Sequence, residues 1–192
     1  MVQNKFNLIV AACENSGIGF KDKLPWSLKN ELKHFRKMTT STADPMKKNA
    51  VIMGRLTYFA IPESKRPLAN RLNIVLSNTT AATDYPHDVI LCSSLNEAMT
   101  KLIGTDLGAN IETIWICGGS RVFNEAMSSD YCHRIYYTDI KAPFECDVFF
   151  PNISSAFKII PNDEGIPTDE QEENGVKYQY KIYEKQQLNN TF

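Results

Sequence analysis

Short apolar or alternating runs recur along the chain, with helical patterns between several of them, and this alternation restricts the fold more than any other feature. The runs fall at Phe6–Ala12, 50–53, 72–76, Val89–Cys92, 113–117 and 135–140. Between two of them, Ser94-Leu95-Asn96-Glu97 has the spacing of a capping box, and Gly104 stops the helix it opens. Strands alternating with helices imply an α/β fold around a mostly parallel, twisted sheet of about eight strands flanked by helices. The end differs. Phe157–Ile160 is followed by an acidic loop over 162–175 and then by strict alternation over 176–182, which predicts a hairpin and an antiparallel last strand. No repeat, low-complexity segment or linker divides the chain. Its 192 residues suit one domain over 1–187, with 188–192 expected to be a flexible tail.

Composition excludes several function classes. With 21 basic and 22 acidic residues, the net charge of −1 gives no general attraction to nucleic acid or an anionic membrane. Five cysteines (Cys13, Cys92, Cys117, Cys132, Cys146) lie scattered, without the CxxC pairs or histidine spacings of a zinc site. They read as reduced thiols in a cytoplasmic protein, and no metal is expected. The apolar run near the start is too short for a signal sequence, and no stretch approaches the length of a membrane helix.

One carboxylate falls on an unexpected face. After Pro25-Trp26, Ser27 is a suitable N-cap, and Leu28, Leu32, Phe35 and Met38 follow helical spacing as one buried stripe. Lys29, Lys33, Arg36 and Lys37 take the wet side, whereas Glu31 lies within the apolar stripe. A carboxylate there must be paired, hydrogen-bonded or protonated, because an isolated buried charge is costly. Desolvation raises its pKa, which suits an acid working near neutral pH. The helix alone leaves two roles open: such an acid, or a structural glutamate tied to a core donor.

Two strand–glycine–helix junctions follow. The apolar run Ile114-Trp115-Ile116-Cys117 ends in Gly118-Gly119-Ser120, ahead of a helical segment beginning at Arg121. Exposed first-turn N–H groups, the helix dipole and missing Cβ atoms together suit an anion such as phosphate. A plain tight turn fits the same residues. Val51-Ile52-Met53-Gly54-Arg55-Leu56-Thr57 has the same form, and two such turns suit the two ends of a dinucleotide.

Taken in order, Ile9-Val10-Ala11, Gly17-Ile18-Gly19, Leu24-Pro25-Trp26, Asn30-Glu31 with Phe35, Met53-Gly54 with Thr57, Ile61-Pro62, Arg66-Pro67-Leu68, Arg71, Gly118-Gly119, Tyr137-Thr138 and Tyr183-Glu184-Lys185 resemble the dihydrofolate reductase family, animal type, over residues 5 to about 185. The resemblance implies reduction of 7,8-dihydrofolate to 5,6,7,8-tetrahydrofolate with NADPH, serving one-carbon metabolism and thymidylate synthesis. It further implies binding of antifolates such as methotrexate and a monomeric, cytoplasmic enzyme. Glu31 would be the acid, with Thr138 sharing its contact, Trp26 holding a water, and Leu24 completing the catalytic group. Ile9, Val10, Leu32, Phe35, Ile61 and Leu68 would wall the substrate, and Arg71 would clamp the α-carboxylate of its glutamate. Ala11, Ile18 and Gly19 would border the nicotinamide, on a loop that closes over it. Gly54, Arg55, Leu56, Thr57, Leu76, Ser77, Asn78 and Ser93 would hold the cofactor from one side. Cys117, Gly118, Gly119, Ser120, Arg121, Val122 and Phe123 would hold it from the other, with a cis peptide between the two glycines, rare for a non-proline bond.

The chain also departs from the family pattern. Asn78 and Ser93 stand where vertebrate members carry arginines near the 2′-phosphate, so discrimination against NADH is expected to weaken by one to two powers of ten, roughly 1.5–3 kcal/mol. Arg121 is a candidate for compensating at the pyrophosphate. Phe123 replaces a tyrosine, Leu32 an aromatic and Ala60 a serine, and the last two open the pocket toward an altered antifolate ranking. Two other readings remain: a reductase of another pterin or of a pyrimidine, and a non-catalytic nucleotide- or RNA-binding module. Arg71 opposes the first, since it answers a glutamyl tail, and near-neutral charge opposes the second.

Overall fold

A computed structural model describes residues 5–79 and 84–186, so the expected tail at 188–192 lies outside the described residues. The chain runs through β1 (Phe6–Ala12), β2 (Gly17–Gly19), α1 (Lys29–Thr40), β3 (Lys48–Gly54), α2 (Arg55–Ala60), β4 (Arg71–Leu76) and β5 (Val89–Cys92). It continues through α3 (Leu95–Leu102), α4 (Asp106–Ala109), β6 (Ile111–Ile116), α5 (Ser120–Ser128), β7 (Cys132–Ile140), β8 (Val148–Phe149), β9 (Phe157–Ile160), β10 (Gln171–Glu173) and β11 (Val176–Lys185).

Eight strands lie in the order β10-β11-β7-β1-β6-β3-β4-β5, with β9 also paired to β11. The ladders from β7 through β1, β6, β3 and β4 to β5 are parallel, and β11 runs antiparallel to β7, β9 and β10. Successive side chains of a strand point to opposite faces, and both faces here are covered. Leu8, Ile52, Ile74 and Ile116 pack on one side with Leu95 and Met99 of α3 and Phe123 of α5. Ile9, Val51, Met53, Val75 and Trp115 pack on the other with Trp26, Leu28 and Tyr58. The strands therefore carry continuous apolar runs such as Leu8–Ala12, 50–53 and 114–117.

The expected loop over 162–175 contains β10, which turns into β11 through Asn174 (φ 55°) and Gly175 (φ 76°). Two consecutive positive φ angles make a mirror-image hairpin turn, for which Asn-Gly is the favoured pair. This hairpin also corrects the expected start of α1. Ser27 is exposed and does not cap the helix, and Leu28 at the N-cap position has no side-chain acceptor. Instead Glu173 Oε1 and Oε2 accept from the N–H groups of Lys29 and Asn30, each at 2.8 Å. A carboxylate satisfies two orphan donors at once and meets the positive end of the helix dipole, so it outcompetes a serine hydroxyl.

The stripe on α1 is also less uniform than its spacing implies. Glu31 and Thr39 are the buried residues of the helix, Phe35 and Met38 are half-buried, and Leu32 is 48% exposed. Leu32 therefore lies at the surface and is not part of the core. On α3, Ser94 Oγ accepts from Glu97 N at 3.1 Å as expected. Glu97 reaches one residue further back than a capping box requires, accepting from both the N–H and the hydroxyl of Ser93 at 2.7 Å.

Candidate active site

The site lies toward the carboxyl ends of the parallel strands, on the face carrying α1 and α2, where open α/β sheets bind ligands. Glu31 is 5% exposed, and Thr138 on β7 donates its hydroxyl to Glu31 Oε1 at 3.1 Å. Burial raises the Glu31 pKa from 4.5 to about 7, the Thr138 hydrogen bond pulls it down, and the Glu173 carboxylate pushes it up. At neutral pH the group is thus poised between its two forms, as a general acid requires. Trp26 is buried edge-on to Phe144, and its indole Nε1 has no hydrogen-bond partner among the described residues. A buried donor left unpaired is costly, so it marks a place for a water or ligand acceptor.

Ile9 lies in the same core face as Trp26, and Phe35, Ile61 and Leu68 pack against it. Val10, its neighbour on β1, points into the opposite core, so its side chain is not part of this wall. Leu24 is 48% exposed. Two residues to which the sequence assigned no role hold the segment from Phe59 to Leu68. Arg66 donates to the carbonyls of Phe59 and Ile61, at 3.3 and 2.8 Å. Buried Asn73 bonds both the N–H and the carbonyl of Leu68, each at 2.9 Å.

Arg71 opens β4. Its Nη1 donates to Thr39 Oγ1 at 2.7 Å and its Nε to the Ala69 carbonyl at 3.0 Å. Burial lowers its pKa, and neighbouring Arg36 lowers it further. No carboxylate among the described residues pairs with it, so a half-buried guanidinium faces outward with donors to spare. His34, one turn from Glu31, stacks on Tyr180 at 3.9 Å, and burial with Lys37 lowers its pKa to about 4. It is therefore neutral and adds no positive charge beside the acid.

Across the cleft, Gly118–Gly119 is a cis peptide, and Gly118 has φ 113°. Gly54 N donates to Gly118 O at 2.8 Å, joining the two strand–glycine–helix junctions. A Cβ on Gly119 would meet Thr57 Oγ1 at 3.2 Å, and one on Gly54 would meet Val122 at 3.3 Å. Side chains there would fill the cradle. The first turn of α5 has no side-chain cap, so its N–H groups are open to an anion, and exposed Arg121 lies in that turn. These features fit a dinucleotide pyrophosphate. Ser120 Oγ is committed to the Phe149 carbonyl at 2.5 Å. Phe123 and Val122 are buried beneath the glycines, with Phe123 against Phe150. Cys117 beside them is held as a thiol, its pKa pushed to about 12 by burial. Arg55, Leu76 and Ser77 are partly buried, while Asn78, Ser93 and Leu56 are exposed.

Ile18 and Gly19 lie on β2, which pairs with β8. Its first residue, Gly17, is wedged against two thiols: Cys13 and Cys146 sit with sulfurs 3.6 Å apart, and a Cβ at Gly17 would lie 2.4 Å from Cys146 Sγ. Ala11 on β1 is in register with Thr138, the residue that bonds the acid.

Comparison with known proteins agrees with this geometry. The profile of the family described as Dihydrofolate reductase matches residues 5–185. The chain is 56% identical to the dihydrofolate reductase of Aedes albopictus, over 94% of this chain and 97% of that one. It is 54% identical to that of Drosophila melanogaster, over 94% and 98%, and 43% identical to that of Gallus gallus, over 95% and 97%. The solved dihydrofolate reductase of Schistosoma mansoni superposes with a TM-score of 0.82 at 36% identity, covering 94% of this chain and 97% of its own. On this evidence the chain belongs to the dihydrofolate reductase family.

Proposed function

We propose that this chain reduces 7,8-dihydrofolate to 5,6,7,8-tetrahydrofolate with NADPH, and that Glu31 is its acid. The observation that carries the proposal is a carboxyl group 5% exposed, bonded to Thr138 and raised to about 7, on the helix that follows a buried indole N–H with no partner among the described residues. NADPH, when bound, supplies the hydride that passes to carbon 6 of the pterin. Glu31 Oε2 is free to bond the pterin amino group and ring nitrogen, since Thr138 takes Oε1. Trp26 Nε1 orients a water near nitrogen 5, through which the proton held around Glu31 is delivered. Ile9, Leu32, Phe35, Ile61 and Leu68 line the ring, and Leu24 closes the cleft edge. Arg71 grips the glutamate carboxylate in bidentate fashion, in keeping with its unpaired guanidinium.

The glycines at 54, 118 and 119, Thr57 and the first turn of α5 hold the pyrophosphate. Ala11, Ile18 and Gly19 border the nicotinamide. We further propose a monomer acting in the cytosol, a target of antifolates that supports one-carbon metabolism and thymidylate synthesis. No described helix is long and apolar enough to cross a membrane. The test is the loss of reduced-nicotinamide absorbance in the presence of dihydrofolate, blocked by methotrexate. Turnover on a pyrimidine or an untailed pterin without turnover on dihydrofolate would overturn it.

A further inference from the structure

We infer that Glu173 is a positioning residue for the site acid: through the tip of the β10–β11 hairpin it fixes the start of α1 and sets the charge environment of Glu31. The inference deepens the reading of Glu31 as the acid and rests on it.

Three contacts bind the hairpin tip to the segment that carries Trp26 and Glu31. Both oxygens of Glu173 accept from successive N–H groups, those of Lys29 and Asn30, at 2.8 Å. Its neighbour Asn174 donates from Nδ2 to the Ser27 carbonyl at 3.1 Å. The residues gripped are therefore 27, 29 and 30, directly between Trp26 and Glu31 in sequence. Leu28, which lies within this grip, is 1% exposed, and its carbonyl accepts from Leu32 N at 3.1 Å as the first helical bond. No side chain from α1 or its approach caps the helix. The hairpin thus supplies from elsewhere what the local sequence lacks, and it sets where the first turn begins and where Glu31 points.

The same carboxylate acts on Glu31 electrostatically. The groups facing Glu31 come from several elements: Thr138 on β7, Glu173 on β10, and Tyr178 and Tyr180 on β11. His34 lies on its own helix and is neutral, while Lys29, Lys33 and Lys37 are exposed on the outer side of that helix. Among these, Glu173 carries the negative charge, and it favours the protonated form of Glu31 against the opposing Thr138 hydrogen bond. One residue thereby both aims the acid and helps keep it protonated.

The test is a direct titration of Glu31 by its side-chain carboxyl carbon resonance, identified by its disappearance in Glu31→Gln, in the full chain without ligands. In Glu173→Gln, which keeps an acceptor and loses the charge, the Glu31 midpoint is expected to move to lower pH. In Glu173→Asp, which keeps the charge on a shorter arm, it is expected to stay nearer the wild-type value. The pH profile of dihydrofolate reduction is expected to shift in the same direction as the resonance. A Glu31 midpoint unmoved in Glu173→Gln, with only thermal stability reduced, would make Glu173 a helix cap and nothing more. Equal displacement in the Gln and Asp variants would also overturn the inference. Because the resonance is read without substrate, absence of turnover on dihydrofolate would count against the proposed function alone.

Discussion

Thr138 and Glu31 meet side chain to side chain at 3.1 Å, though 107 residues separate them in sequence. The hydroxyl occupies Oε1 and leaves Oε2 without a donor among the described residues, so the acid presents one defined oxygen to a ligand. Because this bond lowers the Glu31 pKa, Thr138→Val is expected to raise it further. The inflection in the pH profile of dihydrofolate reduction should then move to higher pH. Lost hydrogen bonding should also cost roughly 1 kcal/mol of stability, readable by urea denaturation.

Keeping Glu31 buried carries a stability cost whose sign follows from its titration. Its pKa is 4.5 when unfolded and about 7 when folded, so between these values the native state binds more protons. Stability therefore falls as pH rises from 4.5 through 7, and no penalty exists below the lower value. At alkaline pH the contribution approaches roughly 3 kcal/mol. Glu31→Gln is expected to be inactive yet more stable than wild type in mildly alkaline buffer, with the two thermal midpoints converging in acid. Equal midpoints throughout would show that the carboxyl is not desolvated.

Arg71 has no carboxylate partner of its own among the described residues, so its replacement should act chiefly on substrate, apart from the bonds to Thr39 and Ala69. Arg71→Lys keeps the charge but loses the planar fork. Steady-state kinetics should show KM for dihydrofolate rising about 10- to 100-fold with kcat nearly constant, the signature of lost uniform binding. A substrate analogue lacking the glutamate should be insensitive to the change.

Gly17 and Gly19 lie two residues apart on β2 and should respond differently to alanine. At Gly17 a Cβ would sit 2.4 Å from Cys146 Sγ and 2.9 Å from Cys13 Sγ, whereas at Gly19 the nearest atom is 3.6 Å away. Gly17→Ala is expected to destabilise by about 1–3 kcal/mol through overpacking. Gly19→Ala should leave the thermal midpoint nearly unchanged, and adding Cys146→Ala should restore only part of what Gly17→Ala removes, because the Cβ of residue 146 stays 2.7 Å from the added methyl.

In the proposed cofactor site Ser93 would face the 2′-phosphate, and both its N–H and its hydroxyl are bound to Glu97. The Glu97 carboxylate, partly offset by its 2.9 Å pair with Lys101, would repel a phosphate there. Glu97→Ala is expected to lower KM for NADPH relative to NADH by roughly tenfold, as a charge-assisted contact becomes possible. Arg121→Ala should reduce affinity for both cofactors if Arg121 reaches the shared pyrophosphate. Equal ratios in wild type and Glu97→Ala would show that this turn does not face the phosphate.

The sheet could be read from sequence because its strands are buried on both faces, so Phe6–Ala12 and Val89–Cys92 stand out without tertiary information. Glu31 was legible for a related reason: a carboxylate inside an apolar stripe contradicts its surroundings. Leu32 shows the limit of such a stripe, since the periodicity that marks a core also takes in a residue at the surface, and only the packed fold separates them. Ser27 failed as a cap because a stronger acceptor arrives from β10. Nothing local distinguishes Glu173 from the acidic residues around it. Asn174-Gly175 carries a hairpin signal inside the acidic loop. Asn73 and Arg66 bond backbone atoms, which no side-chain pattern reveals.

The grip of the β10–β11 hairpin on α1 spans up to 144 residues of sequence, and this has a bearing on biogenesis. During synthesis α1 emerges early, with its first N–H groups answered only by solvent. Strand β10, which delivers the answering carboxylate, must be released by the ribosome and then pair with β11, itself docked on β7. Closure over so long a separation is slow compared with local helix formation. A nascent chain can therefore hold most of its sheet while its acid still lacks a fixed aim, and catalytic competence arrives with the last strand to dock.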